Sequence, residues 1–214
     1  MRRFALVLAV AFATPLFLGA GQPAPARHLD LGDADRKELD DISAYLNGIT
    51  TLKGIFVQIA ASGDLVEGTF YISKPGKMRF QYNPPSPNLI VADGHTVAVA
   101  NSRLNTVDRY PLSETPLGLI LNSKVDIRHN PQLVSVAHQQ GSVVIALRTS
   151  TNRTTANLSL VFAEPEYELR QWTVVDDQGS TTTVALRSLE PGAVLPPSLF
   201  VLPDRNPFGR SRRN

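Results

Sequence analysis

The sequence predicts a mainly β protein: a curved antiparallel sheet around an apolar interior, capped by short helices. Three observations carry that expectation. From Leu52 onward apolar residues recur with period two, turn signals interrupt them at short intervals, and several strands are apolar on both faces. Composition allows a real core, since 43% of the 214 residues are apolar and 19% are charged. One domain is the default at this length, because two separate cores would each be marginal. There is no cysteine, which excludes thiol catalysis, cysteine-ligated zinc, iron–sulfur centres and disulfides. The 21 basic and 19 acidic residues lack the dense basic excess of a nucleic-acid binder.

Taken in chain order, the first element is an address. Arg2 and Arg3 precede an apolar run from Phe4 to Leu18, and Ala24-Pro25-Ala26 supplies the small residues of a cleavage site. Residues 1–26 therefore read as a signal peptide cut after Ala26 (second choice Ala20), ahead of a domain over residues 27–203. The run is too short to cross a bilayer, which takes about 20 apolar residues. No cysteine follows it to be acylated, so the exported chain is expected to be soluble.

Asp33 or Asp35 can cap a helix beginning near Arg36, where Leu39, Ile42, Leu46 and Ile49 form one apolar stripe and Gly48 is the stop. Strands are expected at Leu52–Ala61, Leu65–Ser73, Lys77–Tyr82, Leu89–Ala92, Thr96–Ala100 and Thr106–Arg109. The same reading continues at Val125–Arg128, Leu133–His138, Val143–Arg148, Ala156–Phe162, Glu168–Asp176 and Thr181–Leu189. Ser62-Gly63, Pro75-Gly76, Asp93-Gly94, Gln140-Gly141 and Gln178-Gly179 supply the turns. Pro116 opens a second helix through Leu121, at a position where its missing N–H costs nothing. The last residues, 204–214, read DRNPFGRSRRN: a mobile basic tail, either simply solvated or drawn to anionic lipid or an acidic partner.

A sheet with one wet face should alternate throughout, yet Leu52–Ala61 offers Ile55, Val57 and Ile59 on one face and Leu52, Phe56 and Ala60 on the other. Two-sided strands need cover on each face, and for one face the only candidates are the two helices. The interior they close is either filled by side chains or a cavity for an apolar guest, and the pattern allows both. Met78, Phe80 and Tyr82 alternate with Arg79 and Gln81 and are the first candidates to line it, with Phe56, Phe70 and Ile72 next. For each, plain core packing is the rival reading.

Catalytic chemistry is not legible. His28, His95, His129 and His138 share no chelating spacing, no phosphate-cradling glycine loop is present, and Asp176-Asp177 sits where a turn needs it. Neither an enzyme nor a resident cofactor or metal is expected.

The run Leu52-x3-Phe56-x-Gln58, then Gly68-x-Phe70-x-Ile72-x-Lys74-Pro75-Gly76-Lys77-Met78-Arg79-Phe80-x-Tyr82, resembles the periplasmic outer-membrane lipoprotein carriers (LolA family) of bacteria. Pro84-Pro85, Ile90-Val91-Ala92-Asp93-Gly94 and Pro111-Leu112-x3-Thr115-Pro116-Leu117 extend the likeness. Trp172-Thr173-Val174-x-Asp176-x-Gln178-Gly179-x3-Thr183 and Leu199-Phe200 look like the family's closing strands. The order of these motifs is the specific part, since each fragment alone is weak.

The resemblance implies an unclosed β-barrel with a helical lid over an apolar cavity, built from about 10–12 strands and two or three short helices. It implies a monomeric periplasmic chaperone that takes acylated lipoproteins from an inner-membrane ATP-driven lipoprotein-releasing transporter. Delivery would be to an outer-membrane acceptor or to the outer membrane directly. On this reading Phe56, Phe70, Ile72, Met78, Phe80, Tyr82, Leu117, Ile120 and Leu121 would bind lipid. The family latches barrel to lid through an arginine where this chain has Lys74, whose single ammonium cannot reproduce a planar fork. Two other classes stay open: a lipid-binding or sensing module for another amphiphile, and an exported β-sheet enzyme or carbohydrate binder. The membrane-anchored acceptor of the same pathway would need a lipidated cysteine.

Overall fold

The computed structural model describes Leu29, residues 31–150 and residues 155–203; the expected signal peptide and basic tail lie outside these residues. Helix α1 (Asp33–Gly48) starts from Gly32, whose N–H donates to the Asp35 carboxylate at 3.2 Å. It therefore begins before Arg36, and Asp33 pairs with Arg36 instead of capping. Two carboxylates in the first turn suit the helix's positive end. Gly48 is its last residue, and Leu39, Ile42 and Leu46 form the expected buried stripe.

Eleven strands follow. They are β1 (Thr51–Ile59), β2 (Leu65–Ser73), β3 (Lys77–Tyr82), β4 (Asn88–Asp93), β5 (Thr96–Asn101) and β6 (Thr106–Pro111). After helix α2 (Pro116–Leu121) come β7 (Leu133–Gln139), β8 (Ser142–Ser150), β9 (Thr155–Ala163), β10 (Glu168–Val175) and β11 (Thr181–Pro191). They form one antiparallel sheet in the order β6-β5-β4-β3-β2-β1-β11-β10-β9-β8-β7. Each half is a meander, and the halves join where β1 pairs with β11, from Leu52 opposite Pro191 to Ile59 opposite Thr183. Edge strands β6 and β7 do not pair, so the barrel is unclosed, as expected. Among the described residues no helix is long and apolar enough to cross a membrane.

Val125–Arg128 is a correction. It carries strand-like alternation but is not a strand, because its backbone bonds to side chains of α1. Asn47 donates to the Val125 carbonyl and accepts its N–H, both at 2.8 Å, and the Ile127 N–H donates to Ser43 Oγ at 3.0 Å. Val125 and Ile127 are buried against the inner face of the molecule. Leu199-Phe200 is a second correction, lying in a 3-10 turn (Pro197–Phe200) and not in a strand.

That turn also answers what covers the outer face. It packs on β3 and β4, where Arg79 donates to the Leu199 carbonyl at 3.2 Å. Further along, Arg109 on β6 donates to the Pro203 carbonyl at 2.7 Å. Val91 and Ala98, on the outer side of β4 and β5, are completely buried. The C-terminal segment thus covers part of the outer face, over β3 to β6, while the helices cover the inner one.

On the inner face, β1 and β2 exchange two phenylalanine–glycine pairs: Gly54 stands opposite Phe70, and Phe56 opposite Gly68. Each ring lies flat over the opposing glycine. A Cβ at residue 68 would stand 2.6 Å from the Phe56 ring and collide with the Gln81 carbonyl. Gly68→Ala is therefore expected to lower stability by about 1–3 kcal/mol through overpacking. Urea unfolding reads this as a lower midpoint with unchanged slope.

Candidate functional site

The inner face of the sheet is apolar over nearly its whole width. Phe80 is the hub of an aromatic cluster, with ring centroids 4.7 Å from Phe56, 5.8 Å from Phe70 and 5.8 Å from Trp172. Tyr82 meets Phe56 edge-on at 4.9 Å. Pairs of this kind contribute about 0.5–1.5 kcal/mol each beyond their buried area. Tyr82 places its one polar atom on Gln58, donating to Oε1 at 2.6 Å, and burial pushes its pKa up to about 12.

Between this wall and the helices lies a cavity of about 30 Å³. That is room for roughly two waters, far less than an acyl chain needs. Ile72, Met78 and Phe80 line it from the sheet, and Leu117, Ile120 and Leu121 from α2, all expected from sequence. Phe56, Phe70 and Tyr82 are buried beyond it, in the packed aromatic end. The sequence reading missed Tyr45 and Leu46 from α1, Ile49 just past its end, and Leu52, Leu169, Trp172 and Leu186 from the sheet. Leu46 and Ile49 belong to the helical stripe, so a signal for them existed; Trp172 was visible in its motif, but nothing local places it opposite Phe80.

The interior is small because the helices occupy it. Both are held at the β2–β3 turn. Lys74 Nζ donates to the Leu46 carbonyl of α1 at 2.9 Å, and the Gly76 N–H donates to the Leu121 carbonyl of α2 at 2.9 Å. Burial lowers the Lys74 pKa from its ordinary value. Gly76 has φ +72, and a Cβ there would stand 2.7 Å from the Gly94 Cα, so this turn also abuts the β4–β5 turn.

At its other end α1 reaches the far wing of the sheet. Glu38, nearly buried, meets His138 Nε2 of β7 at 2.8 Å and accepts from the Tyr167 hydroxyl at 3.4 Å. His138, exposed at the surface, thus also tethers helix to sheet. The long sequence separation hid it. Together with Asp35, these are the described residues whose ligand atoms lie close enough to hold a metal ion, within 4.8 Å of one another. Glu38 already has two partners there. Asp176 is a turn residue, as expected: its carboxylate accepts the Gln178 and Ser180 N–H groups.

A second hollow, about 540 Å³, is open and lined by apolar and polar groups in similar measure. It lies between the β4–β5 turn, the 3-10 turn Leu112–Glu114, α2 and the segment entering β7. Size alone would favour it as the binding site, but it has no continuous apolar wall.

An open antiparallel sheet whose apolar inner face is plugged by two helices defines a class, the half-barrel proteins with a helix-covered apolar interior. Within that class the chain belongs to the outer membrane lipoprotein carrier protein LolA family, whose model matches residues 47–203. A protein of Dechloromonas aromatica named outer-membrane lipoprotein carrier protein is 26% identical over 172 residues, covering 76% of this chain and 81% of that one. The relative of that name from Chromobacterium violaceum is 24% identical over 194 residues, covering 87% and 89%. Among solved structures, a LolA superfamily protein from Nitrosomonas europaea covers 76% of this chain and 97% of its own, at 12% identity and a TM-score of 0.42.

The raised Tyr82 pKa has a consequence for alkaline stability. A group whose folded pKa lies above its unfolded value of 10.0 stabilises fully below that value, and the contribution is lost as pH rises towards about 12. Unfolding free energy is therefore expected to fall by about 1.4 kcal/mol per pH unit in this window on account of Tyr82. Tyr82→Phe should flatten that part of the slope, as measured by urea midpoints between pH 9 and about 12.

Proposed function

We propose that this chain is a periplasmic carrier that shields the acyl chains of lipoproteins on their way from the inner to the outer membrane. The observation that carries the reading is the origin of the interior's filling. Leu46 of α1, Ile49 just past its end, and Leu117, Ile120 and Leu121 of α2 occupy the hollow, and the sheet does not fill it by itself. Moving the helices aside exposes an apolar trough lined by Ile72, Met78, Phe80, Leu169, Trp172 and Leu186. The leader read in residues 1–26 and the relatives' shared name support the same reading.

Magnitudes make the cycle workable. A buried methylene is worth about 0.8 kcal/mol, so one long acyl chain contributes on the order of 10 kcal/mol. Each buried lid leucine or isoleucine is worth about 1.5–3 kcal/mol, so expelling Leu117, Ile120 and Leu121 offsets much of that gain. The guest is held but can be surrendered. Opening the lid is then the step that an ATP-driven transporter of the inner membrane assists, and an outer-membrane acceptor, or that membrane itself, takes the cargo. Lys74 is the latch in this scheme, since it bonds α1 to the sheet through one point donor.

Fluorescence of an apolar, environment-sensitive dye, with competition by acylated and deacylated lipoprotein, tests the reading. Only the acylated form should displace the dye. Lys74→Ala removes one charged hydrogen bond from the closed state, worth about 1.5–3 kcal/mol, and is expected to tighten dye binding by roughly tenfold or more. Phe80→Glu places a carboxylate at the centre of the aromatic wall and should abolish binding; uptake of cargo by a folded Phe80→Glu variant contradicts the proposal.

A further inference from the structure

The two hollows are separated by a single turn-and-a-half of helix. Leu117, Ile120 and Leu121 of α2 face the apolar cavity, whereas Gly118, Leu119 and Asn122 line the larger, mixed cleft. The cleft adjoins the same β2–β3 turn that holds both helices, because Gly94 in its wall packs against Gly76. A guest whose hydrocarbon displaces α2 takes away one wall of the cleft and brings its polar end to the remaining walls, Gly94, His95, Leu112 to Thr115 and Asn130 to Gln132. We propose that the cleft is a second subsite, which receives the glyceryl ester and first peptide units of an acylated polypeptide and discriminates against phospholipid. The inference rests on the carrier reading and names the part of the cargo that this reading leaves unplaced.

Three features of the lining support it. Its volume, about 540 Å³, suits several polar residues' worth of guest, against about 30 Å³ on the other side of α2. The side-chain amides of Asn122 and Gln132 have no hydrogen-bond partner among the described residues, so donors and acceptors for ester and peptide groups stand ready. Charge supplies the discrimination: none of the described lining residues is lysine or arginine, and Glu114 adds a carboxylate. A phosphate group calls for cations or a cluster of charged donors, and here it would stand beside the Glu114 carboxylate with His95 as the one titratable donor among the lining residues. An amide or ester suffers no such cost. Hydrocarbon alone cannot tell a lipoprotein from the phospholipid surrounding it, because their chains are alike. Selection at the headgroup can.

The test compares three guests with the same two palmitoyl chains, each presented in mixed micelles: an S-diacylglyceryl-cysteinyl tetrapeptide, diacylglycerol, and phosphatidylglycerol. Displacement of an apolar dye from the full chain ranks them. The wild type is expected to favour the peptide over diacylglycerol, and diacylglycerol over phosphatidylglycerol, by about tenfold at each step. Asn122→Trp fills the cleft from an exposed position and should erase the peptide's advantage while dye affinity stays the same. Glu114→Lys should raise phosphatidylglycerol binding by about tenfold, selectively, and it does so without relying on the tryptophan variant. A benzophenone on the second residue of the tetrapeptide should crosslink the wild type at residues of the cleft. Equal displacement by peptide and diacylglycerol in the wild type, or crosslinks confined to other surfaces, overturns the subsite and leaves the carrier reading standing. Failure of dye and all three guests to bind overturns the carrier reading, and the subsite with it.

Discussion

An apolar sheet face that must not meet water is the constraint on which the rest of this structure depends. A closed barrel satisfies it by wrapping the face onto itself. Here eleven strands stop short of closure, with β6 and β7 left as edges. The inner wall around Phe80 and Trp172 must be covered by something else, at about 25 cal/mol for every Å² kept from solvent. In the closed state the cover is α1 and α2. The same apolar wall that stabilises the protein when the helices cover it is the surface that, under the carrier proposal, a guest would take over.

The polar bonds are distributed so that this cover behaves as a unit. Ser43, Asn47 and Asp40 of α1 are bonded to Ile127, Val125 and Arg128 of the segment that follows α2. Helix and following segment thus form a body with its own internal ties. Its ties to the sheet are fewer and sit at two ends: Lys74 and Gly76 at the β2–β3 turn, and Glu38 with His138 and Tyr167 at the opposite wing. The strap of residues 196–203 ties down the outer side of β3 to β6, on the face opposite the two helices.

Most of the fold was legible because its signals are local. Period-two alternation and the glycine turns marked every strand that formed, and Pro116 marked α2. The Val125–Arg128 segment was misread because alternation reports which side chains are buried and not what the backbone bonds to. Its partners, Ser43 and Asn47, lie about eighty residues away. The same distance effect hid the tether of His138 to Glu38, one hundred residues apart, and the strap over Val91 and Ala98. Of the candidate site, the sheet residues Ile72, Met78 and Phe80 were readable from alternation, and the α2 residues from the family likeness. The contribution of Tyr45 and Trp172 depends on how the helix docks, which no local pattern encodes.

The seam between β1 and β11 has a consequence for how the chain is made. The pairing of Leu52 with Pro191 is the most distant in sequence of any in the sheet, yet it holds the centre and not the rim. Contacts of that span carry a large loop-closure entropy and form slowly. A ribosome delivers the N-terminal wing first, and that wing waits, with one flank unpaired, until the last strand is synthesised. Committed folding is thereby postponed to the end of translation, which keeps the nascent polypeptide loose for as long as it must be threaded anywhere.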